Sequence, residues 1–267
     1  MFNRFIKLLI SLVYFFCYKI YSFINWKLPG TFTILLYHEL TPRQRQRFIK
    51  QLESIKCSTN PVSSDFSSRP AWGKHYVAVT FDDSFSSVFD IAIPDLYRQK
   101  IPFTIFVPTA FLGKRQAWIK NKAHNCFNEY VATEKQLREL DDNFVTIGSH
   151  THTHPHLTFL NENELKNELE ESKTILERIT GKEVNLLAFP YGEYNNKIID
   201  LSKTAGYTRA FTVLPNHPFA ANTRFLAGRL DASADDWRLE FWLKIRGAYQ
   251  WLGLASAFKK GLLSLCS

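Results

Sequence analysis

Two short segments concentrate the residues that could do chemistry. Asp82 and Asp83 directly follow the apolar run Val77-Ala78-Val79-Thr80-Phe81. Adjacent carboxylates at the end of a buried strand are costly unless a cation or hydrogen bonds compensate them. A metal ion would use one as a ligand and leave the other to act as a base. A solvated turn that caps a following helix would also use Asp-Asp-Ser. The second segment, Ser149-His150-Thr151-His152-Thr153-His154-Pro155-His156, holds four of the eight histidines. His150 and His154 lie one helical turn apart, or on one side of an extended segment, and either geometry brings both imidazoles to one divalent ion. Two histidines and one aspartate leave positions open for water and substrate, as a catalytic zinc site requires. The pairing of the histidine cluster with aspartates at a matching strand end favours a functional site over a surface tract of histidines.

Strands must position these residues. Seven β-type runs rich in Val, Ile, Phe and Thr stand out at 31–37, 76–81, 103–107, 145–148, 185–189, 209–214 and 225–230. Several are nearly continuously apolar, as strands covered on both faces are. Helix-type stretches separate them. The clearest is 163–179, with Leu165, Leu169, Leu176 and Ile179 on one face and Gly181 placed to end it. Weaker ones run over 43–56 and 193–205, while 57–74 and 110–130 read as long loops. The alternation predicts a parallel α/β protein, as a barrel or a doubly wound sheet. In either, ligands gather at the C-terminal strand ends. Four of the five polar strand-end sets carry His or Asp: Tyr37-His38-Glu39, Asp82-Asp83-Ser84, the histidine cluster, and Asp231; the fifth is Pro190-Tyr191-Gly192.

With these residues in hand, the chain resembles the polysaccharide deacetylases, the family of the NodB homology domain (carbohydrate esterase family 4). Thr80-Phe81-Asp82-Asp83-Ser84 is similar to its T-F-D-D-G motif, His150 to His154 matches H-[ST]-x-x-H, and Pro190-Tyr191-Gly192 resembles the end of R-x-P-Y-G. The resemblance covers roughly residues 31–231. It implies a distorted (β/α)7-type barrel and a divalent metal, zinc first, with cobalt or nickel as alternatives. It implies Asp83, His150 and His154 as metal ligands, Asp82 as general base, and the Tyr191 backbone N–H as an oxyanion donor. Leu36-Tyr37-His38 looks like the family's permuted N-terminal variant, which implies His38 as general acid. Pro190, Asp231 and Trp237 are implied substrate-side residues; the last two belong to a segment that only loosely resembles D-x-x-D-W. His152 and His156 would stand behind the ligands or face substrate. Two departures matter. Ser84 replaces a glycine, and Ala188 stands where the family arginine orients the catalytic aspartate, which leaves the tuning of Asp82 open.

The 267 residues carry a net charge of +8. Residues 1–27 hold four bases and no acid, residues 238–267 five bases and one acid, and the middle is neutral. That pattern disfavours nucleic acid and suits an anionic membrane surface. The expected organisation is a membrane anchor or interfacial helix over 1–28, the deacetylase domain over 29–237, and a basic amphipathic helical extension over 238–267. The apolar run from Leu8 to Tyr18 is shorter than the roughly 20 residues a bilayer needs. The C-terminal stretch 241–265 reads equally as interfacial or packed on the domain. Cys17, Cys57, Cys126 and Cys266 show no metal or disulfide spacing and read as free thiols. The expected function is metal-dependent removal of N-acetyl groups from an amino sugar of a cell-envelope polysaccharide or lipid-linked precursor. The expected location is membrane-associated, at a bacterial inner membrane, on a side left open. An amidase for a small acylated amine and a non-catalytic glycan-binding relative are the alternatives. Oligomeric state is left open.

Overall fold

The computed structural model describes residues 3–25, 30–213, 215 and 225–255. The strands are β1 (Thr31–Tyr37), β2 (Asn60–Pro61), β3 (His75–Phe81), β4 (Phe103–Val107), β5 (Val145–Ser149), β6 (Leu186–Ala188), β7 (Arg209–Thr212), β8 (Leu226–Gly228) and β9 (Leu230–Asp231). The helices are α1 (Arg4–Asn25), α2 (Arg45–Ser58), α3 (Ile93–Gln99), α4 (Glu134–Arg138), α5 (Glu162–Thr180), α6 (Asn196–Thr204) and α7 (Arg238–Lys244).

Every strand pairing is parallel, in the order β8-β7-β6-β5-β4-β3-β1-β9, with β2 beside the start of β3. β8 and β9 are one extended segment that steps sideways at Arg229. Its first half pairs with β7 and its second half with β1, so it joins the two sheet edges into a nearly closed barrel. This is the distorted (β/α)7 architecture, not the doubly wound alternative.

Alternation along the strands divides the core in two. Leu35, Val77, Val79, Phe103, Ile105 and Leu187 face outward and pack with helix residues such as Phe48, Leu52, Leu96, Leu165 and Leu169. Phe32, Ile34, Ala78, Phe106, Ala188 and Phe211 face inward and fill the barrel. Helix α5 begins at an Asn161 cap, whose side chain accepts from the Glu164 N–H while Glu164 reaches back, and it ends at Gly181 with φ 69°. A third cluster packs Leu8 of α1 against Leu230, Leu243, Ala248 and Tyr249. Phe241 and Ile245 join the main core, so Phe241 to Tyr249 of the C-terminal stretch pack on the domain, Leu254 is exposed, and 256–265 lie outside the described residues.

Two short helices escape the sequence pattern. α3 begins at Ile93-Pro94, after a π-type turn over Val88–Ala92, and α4 is five residues long behind a Thr133 cap. Both are too short to show an apolar period. The segment 110–130 is anchored rather than open: Gln116 and Arg115 donate to the Phe127 carbonyl, and Val131 N–H donates to Lys114 O.

Candidate active site

β1, β3, β5, β6 and β9 deliver His38, Asp82-Asp83, His150, Pro190-Tyr191 and Asp231 to one end of the barrel, because a parallel barrel puts all its C-terminal strand ends on one rim. Asp82, Asp83, His150 and His154 are each buried. His154 Nε2 lies 3.2 Å and His150 Nε2 3.6 Å from Asp83 Oδ1. The ligand atoms of Asp83, His150 and His154 all lie within 4.8 Å of one another. Asp83 Oδ1 accepts no hydrogen bond despite its burial. A buried, unsatisfied carboxylate oxygen facing two imidazole nitrogens is the donor set of a divalent ion. The residues present therefore fit the implied metal.

The local chain bends sharply to achieve this. The histidine segment is neither helical nor extended. Thr151 and His154 have φ of 66° and 57°, Asp83 has 65° and Tyr191 58°. Such values cost a non-glycine residue about 1 kcal/mol or more and persist only where the surroundings hold them. Glu168 of α5 does part of the holding: it accepts from the His152 and Thr153 N–H groups at 2.8 Å each. Ser84, the residue in place of a glycine, has φ 50° and is anchored by its hydroxyl donating to Phe106 O. Gly192 has no such latitude, since a Cβ there would sit 2.5 Å from Val213 Cγ2.

His150 Nδ1 lies 2.8 Å from the Ala188 carbonyl, which can only accept, so the proton sits on Nδ1 and Nε2 presents its lone pair to the site. Burial lowers the His150 pKa to about 4, which keeps the imidazole neutral as a ligand must be. Burial pushes the Asp83 carboxyl up, but the facing His154 and His150 outweigh it and bring it to about 2. Trp118 stacks on His154 with centroids 4.3 Å apart, and Tyr191 meets it edge-on at 5.0 Å.

Asp82 has a partner that the motif spacing did not suggest. Arg229 is fully buried and donates from both terminal nitrogens to Asp82 Oδ1 and Oδ2, each at 2.6 Å. Its guanidinium lies 5.2 Å from the Phe106 ring and 5.9 Å from the Phe211 ring. Burial alone would raise the Asp82 pKa; Arg229, then His150, override it and hold the carboxyl below its ordinary range. Ala188 shares the inner cluster with Phe106 and Phe211. Its small side chain leaves the barrel interior to the arginine that follows β8. The signal available in the sequence was a single charge inside the apolar run 225–230, which demands a buried acid.

The other expected residues are placed as follows. His38 follows β1 beside Asp82, whose N–H donates to Tyr37 O, and its imidazole acts electrostatically on both Asp82 and Asp83. Pro190 is buried in the turn that carries Tyr191. Asp231 is exposed at the end of β9, in register with Leu36. Trp237 caps α7 with its ring under the Arg4 guanidinium of α1 at 4.5 Å. His152 bonds Thr109 Oγ1, and His156 stacks on Tyr191 at 3.9 Å while pairing with Glu193. Burial pushes the Cys126 thiol far up, so it is no thiolate nucleophile.

A family model described as polysaccharide deacetylase matches residues 70–210. The chain belongs to the polysaccharide deacetylase family. Among individual relatives it is 27% identical over 139 residues to the Bacillus subtilis protein YxkH, named for this family, covering 52% of this chain and 45% of that protein. It is 26% identical over 149 residues to the poly-β-1,6-N-acetyl-D-glucosamine N-deacetylase of Staphylococcus aureus (strain MRSA252), covering 52% and 48%. The chain thus matches about half the length of these deacetylases. The fold is similar to the Streptococcus pyogenes deacetylase PplD in complex with acetate, with TM-score 0.67, 22% identity and coverage of 82% of this chain and 99% of that one. It is also similar to IcaB from Ammonifex degensii, with TM-score 0.66, 20% identity and coverage of 83% and 99%.

Proposed function

We propose that this polysaccharide deacetylase removes acetyl groups from N-acetylated amino sugars of a cell-envelope glycan in a metal-dependent hydrolysis. The observation that carries the reading is the pairing of a fully buried Arg229 with Asp82, directly beside the Asp83, His150 and His154 cluster. It supplies an ionised carboxylate held apart from the ligand set, which is what a base next to a metal needs. The step between β8 and β9 also supplies a guanidinium that Ala188 does not provide. The activity for which the Staphylococcus aureus relative is named supports poly-N-acetylglucosamine as the glycan class.

Asp83, His150 and His154 would hold the ion, which when bound supplies Lewis acidity to the acetyl carbonyl and the attacking water. Asp82 takes the proton from that water as its oxygen adds to the carbonyl carbon. Arg229 keeps Asp82 ionised and fixes the plane of its carboxylate. The Tyr191 N–H donates to the oxyanion that forms on the former carbonyl. His38 gives a proton to the amide nitrogen, because an unprotonated amine leaves poorly. The C–N bond breaks, and acetate and a free amino sugar result. The exposed ring of Tyr191, stacked on one face by His156, offers its other face to a sugar.

The test is a panel of β-1,6-linked N-acetylglucosamine oligomers, chitin oligomers and small acylated amines, with acetate measured after loading with zinc or cobalt. The expected result is acetate from the oligomers and none without metal. Acetate from the small acylated amines alone would replace this reading with a general amidase.

A further inference from the structure

Among the described residues, the outer face of α1 gathers a large share of the exposed large apolar side chains. Phe5, Ile6, Leu9, Val13, Phe16 and Ile20 are 44–63% exposed. At 3.6 residues per turn they fall within about 120° of arc, and no charged residue falls among them. The opposite face is docked on the domain. Leu8 and Ser11 are buried, Trp251 donates to Ser11 Oγ at 2.9 Å, and Phe15 packs edge-on against Trp242 at 5.1 Å. Arg4 ties the first turn to Glu240 at 2.7 Å. The helix is therefore apolar on both sides, with one side already used. A face of this size on a water-exposed helix marks a docking surface.

We infer that this face seats α1 flat in the interfacial zone of an anionic lipid bilayer. Charge selects the occupant. The first 27 residues carry four bases and no acid, and residues 238–255, part of which pack against α1, carry three bases and one acid. A second copy placed on this face would bring two such basic regions together, whereas anionic headgroups would neutralise them. Lys19 lies just outside one edge of the apolar arc, as the lysines of an interfacial helix do. No helix among the described residues is long and apolar enough to cross a membrane, and contacts along the length of α1 hold it parallel to the domain surface.

The docking also orients the barrel. The Arg4 end lies at Asp235 and Glu240, beyond the C-terminal end of β9. Further along, Tyr14 and Tyr18 line a small cavity with Thr31, the first residue of β1. α1 thus runs along the barrel axis with its N-terminus at the catalytic rim. With α1 in the membrane plane, the mouth opens sideways along the membrane surface, where a glycan close to the bilayer would lie.

The test is co-sedimentation of the full chain with phosphatidylcholine vesicles, with and without phosphatidylglycerol, for wild type and the double variant Val13→Glu/Phe16→Glu. Neither side chain belongs to the core, so the double variant should keep its thermal melt. The inference expects wild type to pellet with anionic vesicles and the double variant to lose about tenfold or more of its partitioning, as expected when two large apolar side chains no longer bury. A polarity-sensitive fluorophore on the exposed Cys17, in a Cys57→Ser/Cys266→Ser background, should shift to the blue on the same vesicles. A folded wild type that stays in the supernatant, or a double variant that pellets equally, overturns the inference. So does a wild-type dimer that the double variant converts to monomer, which would give the face to a second copy. None of these readouts depends on the deacetylase activity.

Discussion

At the scale of residues, the pair Asp82–Arg229 is the feature on which the chemistry turns. Arg229→Met should lower kcat while leaving the bound metal in place, because Arg229 touches Asp82 and none of the ligands. Without the guanidinium, burial dominates and the Asp82 pKa rises. The acid limb of the pH–rate profile should therefore move to higher pH, an effect that a purely structural role would not produce. The wild-type carboxyl is held below its ordinary value. Its contribution to stability is present above the unfolded carboxylate pKa and is lost as pH falls through the folded value. Removing one partner of a buried pair costs about 3 kcal/mol or more, so the urea midpoint should drop as well. Asp82, Asp83, His150 and His154 were legible because each motif is contiguous in sequence. Arg229 was not, because it lies 147 residues from Asp82 and only the closure of the barrel brings them together. For the same reason, nothing in the loop-like segment around Trp118 showed that its ring would stack on His154.

At the scale of elements, the step between β8 and β9 does two jobs at once: it joins β7 to β1, and it turns Arg229 into the barrel. Ala188 on β6 is the complementary choice, since an arginine there would place a second guanidinium in the same interior. Ala188→Arg alone should unfold the protein or cost it several kcal/mol, because the added side chain overpacks the inner cluster and buries an unpaired charge. Ala188→Arg combined with Arg229→Ala should recover part of the loss. A double variant less stable than Ala188→Arg alone, measured by urea denaturation, would count against the exchange of roles between the strands. The seven main strands were readable as apolar runs of the right length, with β1 and β4 placed to the residue. α3 and α4 were not, because five to seven residues give too few turns for a period to show.

At the scale of the whole molecule, three packing layers fix the site: the barrel interior, the helix layer around it, and the α1–α7 face. Leu243 is fully buried in the third of these. Leu243→Ala should cost about 2–5 kcal/mol in chemical denaturation without changing metal content, since the cavity it creates lies in a cluster that contains none of the ligand residues. Metal binding should stabilise the folded chain by linkage, by about 4 kcal/mol at a thousandfold excess over Kd. A chelator should therefore lower Tm, and zinc should restore it. If the Tm is indifferent to both, the Asp83, His150 and His154 cluster is not a metal site. The measurement that bears most directly on the account is acetate release from N-acetylglucosamine oligomers by wild type and Asp82→Asn, with bound metal quantified in both. The account predicts equal metal content, metal-dependent acetate from wild type, and none above background from Asp82→Asn. Full turnover by Asp82→Asn would contradict it, because the proton would then be taken by a group other than the one Arg229 holds ionised.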